Sequence, residues 1–206
     1  GGLQVQVPRW PHLHQHRRAG LLQRLRSLRE ATMPSIQAIA DSLSTVFTDE
    51  RYPLGTTYIQ TDDEVDSGSS GVDSTVDFTL LKGERVWMFV KAAEAIVAGE
   101  LCEVDITAPY NVEPNDGNAV DPMLLAGVAD HDIASGSFSW IIVRGACVVK
   151  CATGSVTAAG IALDSDGGTG QGQVEQSAGA AASIGRSLEA VSASKANFVT
   201  AYISIP

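Results

Sequence analysis

The sequence predicts a mainly β chain: a compact antiparallel β-barrel or sandwich carrying an N-terminal extended and helical arm. Three observations predict it. From about residue 76 onward, β-branched apolar segments are short and punctuated by Gly, Asn, Asp and Pro. Almost nothing in that stretch carries a helical period. The charge is also split: residues 1–32 hold six arginines against Glu30, a net +5, so the other 174 residues carry −15 of the total −10. A basic arm on an acidic body points to the arm docking on something else, and an acidic body argues against nucleic acid as its partner.

The arm is expected over residues 1–48. Residues 1–16, GGLQVQVPRWPHLHQH, cannot be helical, because Pro8 and Pro11 remove donors and disfavour helix in the residues before them. They read as an extended strap. His12, His14 and His16 fall on one side of an extended chain, where a solvated or contact-making role is favoured over metal binding. From Arg17 the pattern changes. Leu21, Leu25 and Leu28 recur at i, i+4 and i+7 with the arginines largely off that stripe, an amphipathic helix signal. Pro34 breaks it and suits the first turn of a second helix, whose stripe continues through Ile36, Ile39, Leu43 and Phe47. The stretch from Met33, MPSIQAIADSL, reads as a normal start. Residues 1–32 are therefore native, a longer translation product or a cleavage remnant, and an organelle transit peptide is a lesser reading. No run of 18 apolar residues exists, so no membrane-spanning helix is expected.

Residues 49–77 are expected to form an acidic, Gly/Ser-rich linker or loop. The core of this stretch, DDEVDSGSSGVDSTVD, has almost no large apolar side chain. Asp62, Asp63, Glu64 and Asp66 match no cation loop with a fixed turn glycine. The β-barrel body follows over 78–206. Strands are expected at 76–81, 85–91, 101–107, 123–129, 138–144, 146–152, 172–177, 184–190 and 198–205, with 91–98 (KAAEAIVA) the one candidate helix. Turns are expected at Lys82-Gly83-Glu84, at 114–118 and at Asp166-Gly167-Gly168.

Few residues suggest chemistry. Cys147 and Cys151 flank VVK in what reads as a strand after a break at Gly145. Residues four apart in a strand share a face but lie roughly 13 Å apart, beyond the ~7 Å reach of a disulfide. No second Cys or His pair completes a zinc site. With Cys102 the total is three, an odd number, as in a reduced protein assembled inside a cell, its thiols packed as small hydrophobes. Asp130-His131-Asp132 would need a nucleophile beside it, and no Gly-x-Ser-x-Gly elbow is present. The Gly-rich 164–173 stretch lacks the helix and Lys-Ser/Thr of a phosphate loop. Neither a catalytic residue, a metal ligand nor a cofactor is expected, so the chain does not read as an enzyme. Trp87 and Trp140 lie in apolar runs and read as buried.

One long pattern is more informative. It runs VKAAEAIVAGELCEVD, then LLAGVADHDIASGSFSWIIVRGACVVKCATGSVTAAGIALDSDGG, then SIGRSLEAVSASKANFVTAYISI. This order of a Gly-Val-Ala strand, a Val-Arg-Gly strand, an Ile-Gly-Arg-Ser-Leu strand and a final strand resembles the decoration (cement or head-fibre) proteins on capsids of tailed bacteriophages, over about 83–206. The resemblance implies a virion protein without enzymatic activity, often a homotrimer, that binds the major capsid protein on the outer shell of particles assembled in the host cytoplasm. The arm lies outside the pattern, and its partner-binding residues come from residue type alone: Trp10, Arg17, Arg18, Leu21, Arg24, Leu25, Arg26, Leu28 and Arg29, since Trp and Arg are frequent interface anchors. The alternatives are a tail-fibre or receptor/carbohydrate-binding β-module, which would want exposed aromatics, and a trimeric hydrolase built on a β-barrel, whose motifs are missing.

Overall fold

The computed structural model describes residues 43–61, 80–116, 124–152, 156–165, 171–177, 183–191 and 197–205, all within a compact unit spanning Ile39–Pro206. Ten strands are described: β1 (Thr57–Gln60), β2 (Arg85–Ala92), β3 (Leu101–Val104), β4 (Asn111–Pro114), β5 (Leu125–Ala129), β6 (Phe138–Lys150), β7 (Ala162–Ser165), β8 (Val174–Gln176), β9 (Gly185–Ser187) and β10 (Phe198–Ser204). They form one mixed, mostly antiparallel sheet in the order β1-β2-β4-β3-β5-β6-β10-β9-β7-β8. The parallel pair is β2 with β4. Strand β2 also pairs with β6, so the pairings β2–β4–β3–β5–β6 return to their start. Beyond β6 the sheet continues outward, and a bridge from Cys151 to Val174 brings its far strand β8 back to the end of β6.

Both faces of the central strands are buried, which explains their continuous apolar runs. On β2, Trp87 and Phe89 belong to one core cluster while Val90 and Ala92 belong to another. Strand β6 divides the same way, with Trp140 and Ile142 on one side and Ile141 on the other. The second cluster, with Cys102, Val112, Ala126 and Ala129, draws on all five strands of the closed circuit. The first is capped by residues preceding and including β1: Leu43 and Tyr58 are buried, with Phe47, Tyr52 and Leu54 packed against them. Trp87 and Trp140 are buried, as expected.

The expected break at Gly145 is absent. Strand β6 runs 13 residues through it, and Gly145 keeps its partner Ile203 on β10. The glycine is needed for another reason. Its φ is +118°, and a Cβ there would lie 2.7 Å from the Glu84 carbonyl oxygen. It lets the start of β2 approach β6 beside the register shift at Val86/Trp87.

Other expectations also change. Strands β1, β4 and β7 have no counterpart among the expected ones. The candidate helix 91–98 does not form: β2 runs through Ala92, and Ile96 then exchanges two backbone hydrogen bonds with Ile133 (2.9 and 2.8 Å). Burial of Ala92, Ile96 and Ala98 produced a pattern that a buried turn satisfies as well as a helix. Leu80 and Leu81 are not strand. The strap, both arm helices up to residue 42, the loop 62–77 and the turn at 166–168 lie outside the described residues.

Candidate functional site

Trp10, Arg17, Arg18, Leu21, Arg24, Leu25, Arg26, Leu28 and Arg29 lie outside the described residues, as do His12, His14, His16 and the acids at 62–66. The candidate chemistry of the body can be placed.

All three cysteines are unpaired and buried. Burial pushes the Cys147 thiol up to about 12 and the Cys151 thiol up to about 11, and it pushes Cys102 higher still, with Glu100 adding to the effect. The thiolate is the reactive form, so these thiols are suited to packing. In the native protein at pH 8, labelling with a maleimide is expected to be at least ~100-fold slower than for a free thiol of ordinary pKa. Three thiols should react after denaturation without reductant. Rapid native labelling, or fewer than three thiols in protein purified under non-oxidising conditions, would contradict this.

A hydroxyl does lie beside His131. Its Nε2 is 2.8 Å from Oγ of Ser139, at the start of β6. Ser139 Oγ donates to the Thr45 carbonyl at 2.9 Å. The hydroxyl has one proton, so Nε2 must carry the hydrogen and donate to Oγ. Nδ1 is then bare, and it is buried without a hydrogen-bond partner among the described residues. This polarity is the reverse of base-activated nucleophile chemistry. Neither neighbouring carboxylate orients the ring: Asp132 accepts from the Ala98 N–H at 2.8 Å, and Asp130 is buried, its pKa raised by desolvation and opposed by Arg85. Burial also holds the imidazole below its usual pKa, partly offset by Asp132. The pair ties β6 to the segment at Thr45. Sequence reasoning missed Ser139 because its eight-residue separation from His131 matches no catalytic motif.

Two further polar groups lie inside. Arg85 is 4% exposed, with Nε and Nη2 lacking hydrogen-bond partners among the described residues. Lys150 Nζ meets Glu100 Oε1 at 2.8 Å, and the other Glu100 oxygen accepts from Val97 N–H at 2.8 Å. That pair pins the 97–100 turn to β6. Among the described residues no group of three or more His, Cys, Asp or Glu is placed to hold a metal.

The surface is more distinctive. Glu103 and Glu113 face each other across β3–β4, like charges at opposed positions. Asn115 donates to Glu103 at 2.7 Å. Partial burial raises both carboxyls and the Asp116 charge adds to this at each, opposed at Glu103 by the hydrogen bonds from Asn115 and the Asp116 backbone. The adjoining turn exposes Ile106 and Tyr110, at 79% and 44%. An open apolar cleft of about 350 Å³ lies between Met88, Val104, Pro109, Tyr110 and Val143.

No protein-family model and no curated protein matches the chain. Among solved structures, the N base of the head fiber protein gp8.5 in bacteriophage phi29 is similar, at 19% sequence identity and a TM-score of 0.42. The match covers 58% of this chain and 94% of that one.

Proposed function

We propose that this chain is a structural virion protein without enzymatic activity. In this reading it binds the outside of a phage capsid as a decoration or head-fibre base protein, contacts the major capsid protein through its basic arm, and assembles as a homotrimer that stabilises the shell. The observation that carries the reading is the sequence pattern over 83–206 together with where its parts fall. The Gly-Val-Ala segment is β5, the Val-Arg-Gly segment lies in β6, the Ile-Gly-Arg-Ser-Leu segment includes β9, and the final segment is β10. These are consecutive neighbours, β5-β6-β10-β9, in one sheet. A closed, cross-braced sheet with inert thiols suits a durable surface module.

The arm is assigned the anchoring role on charge and composition. The strap has too few apolar residues to bury itself, and ordering the chain costs roughly 1–2 kcal/mol per residue of backbone entropy. A large external surface would offset that cost, and many copies on one shell would raise effective concentration.

Shells lacking the protein, mixed with the purified full chain and sedimented, test this reading. The full chain should pellet with shells. Deletion of residues 1–32 should leave melting nearly unchanged and abolish or strongly weaken attachment. Exposed ion pairs contribute about 0–1 kcal/mol each, so added salt should weaken binding only in part, whereas Trp10→Ala or Leu25→Asp should weaken it at any salt. Wild-type occupancy by the truncated protein would remove the arm as the anchor. Failure of the full chain to bind any shell would overturn the function itself.

A further inference from the structure

Positive charge is scarce on the body, yet two exposed arginines flank one exposed tyrosine. Tyr202 on β10 is directly opposite Arg186 on β9. On the other side of β10, Arg144 of β6 brings Nε to 3.4 Å from the Tyr202 hydroxyl. The three side chains thus occupy three adjacent strands. Arg186 donates through Nη1 to the Gly160 carbonyl at 3.0 Å, which fixes its guanidinium. Its remaining N–H groups carry no hydrogen bond among the described residues. No ion pair among the described residues engages either arginine. Arg144 is influenced chiefly by Tyr202, with a smaller contribution from Glu84.

Tyr202 and Arg186 line an open cleft of about 410 Å³ together with Ser183, Ile184, Leu188 and Ser204, and Arg144 adjoins it through the Tyr202 hydroxyl. That volume falls within the usual small-ligand range of about 300–1,000 Å³. Its lining is mixed in a specific way: the Tyr202 ring and the half-buried Leu188, two serines, and the Arg186 guanidinium, while Ile184 is turned into the core at 2% exposure. A bare inorganic anion would leave the apolar lining unused. A purely apolar ligand would leave the Arg186 guanidinium beside it without a counter-charge. A saccharide offers an apolar C–H face and hydroxyls, and an acidic substituent supplies an acceptor for the planar, charge-assisted donors of arginine.

We propose that the Arg144–Tyr202–Arg186 shelf is a binding site for an acidic saccharide, a sugar carrying a carboxylate or sulfate group. The site is independent of capsid attachment and uses none of the arm residues.

Titration calorimetry of the full chain at low ionic strength tests it with four probes: tetragalacturonate, a heparin-derived tetrasaccharide, neutral maltotetraose and inorganic phosphate. At least one acidic oligosaccharide should bind with a submillimolar Kd, with maltotetraose and phosphate weaker by about 10-fold or more, a difference of roughly 1.4 kcal/mol. The responding probe separates a carboxylate source from a sulfate source. Arg186→Ala and Arg144→Ala should each weaken that binding by about 10-fold, and Tyr202→Ala should also weaken it. All three positions are exposed, so melting should stay near wild type. Should Arg186→Ala still unfold, Arg144→Ala alone decides the matter. The proposal fails if neither acidic oligosaccharide binds, if maltotetraose or phosphate binds as tightly, or if arginine variants that melt normally bind unchanged. Shell attachment by the same variants should remain at the wild-type level, so failure here is distinguishable from failure of the capsid reading.

Discussion

Gly145→Val is expected to destabilise the body by about 4 kcal/mol or more, a large part of the roughly 5–15 kcal/mol that holds a domain folded. Two costs combine. A β-branched residue at φ +118° is far outside its allowed backbone regions. Its Cβ would also lie 2.7 Å from the Glu84 carbonyl oxygen and 3.0 Å from Arg85 Cα. Both are backbone atoms, which cannot yield as the end of a side chain can. They are fixed because Val86 is in register with Arg144, one residue from the substitution. Relief would mean parting β2 from β6, the pairing that closes the five-strand circuit. Gly136→Ala separates the two costs. Gly136 has φ +79° with nothing within 4 Å of a built Cβ, so strain alone applies and about 1 kcal/mol is expected. In thermal melting at about 2–4 °C per kcal/mol, Gly145→Val should lower Tm by roughly 8 °C or more, and Gly136→Ala by a few degrees. Near-equal shifts would show that the close approach at Gly145 is not what constrains this position.

The same glycine shows what was legible in the sequence. The strand class was readable because β-branched runs between Gly, Asn and Asp are a local signal, and most segments from 85 onward form strands near the expected positions. The continuity of β6 was not, because Gly145 answers to a neighbour 60 residues earlier in the chain. β1, β4 and β7 were missed since TYIQ, NVEP and ALDS are each four residues long with polar members. Strands that short are fixed by partners, and β4 by an unusual parallel pairing to β2. A barrel was among the expected architectures, but which strands close it was not legible, since closure depends on β2 having a third partner. Among polar candidates, the inert character of the cysteines followed from their number and apolar context. The Ser139–His131 bond and the arginine shelf depend on which residues meet across strands. Arg144, Arg186 and Tyr202 lie far apart in sequence and share no motif.

Trp140→Ala carries the other large expected effect, about 3–5 kcal/mol, the range for deleting a fully buried large aromatic. Trp140 is 0% exposed, with ring centroids 5.2 Å from both Tyr52 and Phe89. Phe89 in turn stacks on Phe138 at 6.2 Å and meets Phe47 at 6.1 Å. Phe47 and Tyr52 belong to the segment that precedes β1, and Phe47 exchanges two backbone hydrogen bonds with Phe138. Removing the indole should therefore loosen residues 43–56 as well as lower global stability. Limited proteolysis should cut there at denaturant concentrations where the wild type resists. Trp140→Phe provides the comparison. Nε1 of Trp140 is buried without a hydrogen-bond partner among the described residues, and an unsatisfied buried donor costs about 1–3 kcal/mol. Phenylalanine loses ring volume but removes that donor, so its net cost is expected to stay below about 1.5 kcal/mol. If urea unfolding gives equal losses for the two variants, contact area of the indole, and not the aromatic cluster as a whole, is what holds the segment in place. If Trp140→Ala costs under about 1.5 kcal/mol, the segment is secured by its backbone bridge to β6 and the aromatic packing is secondary.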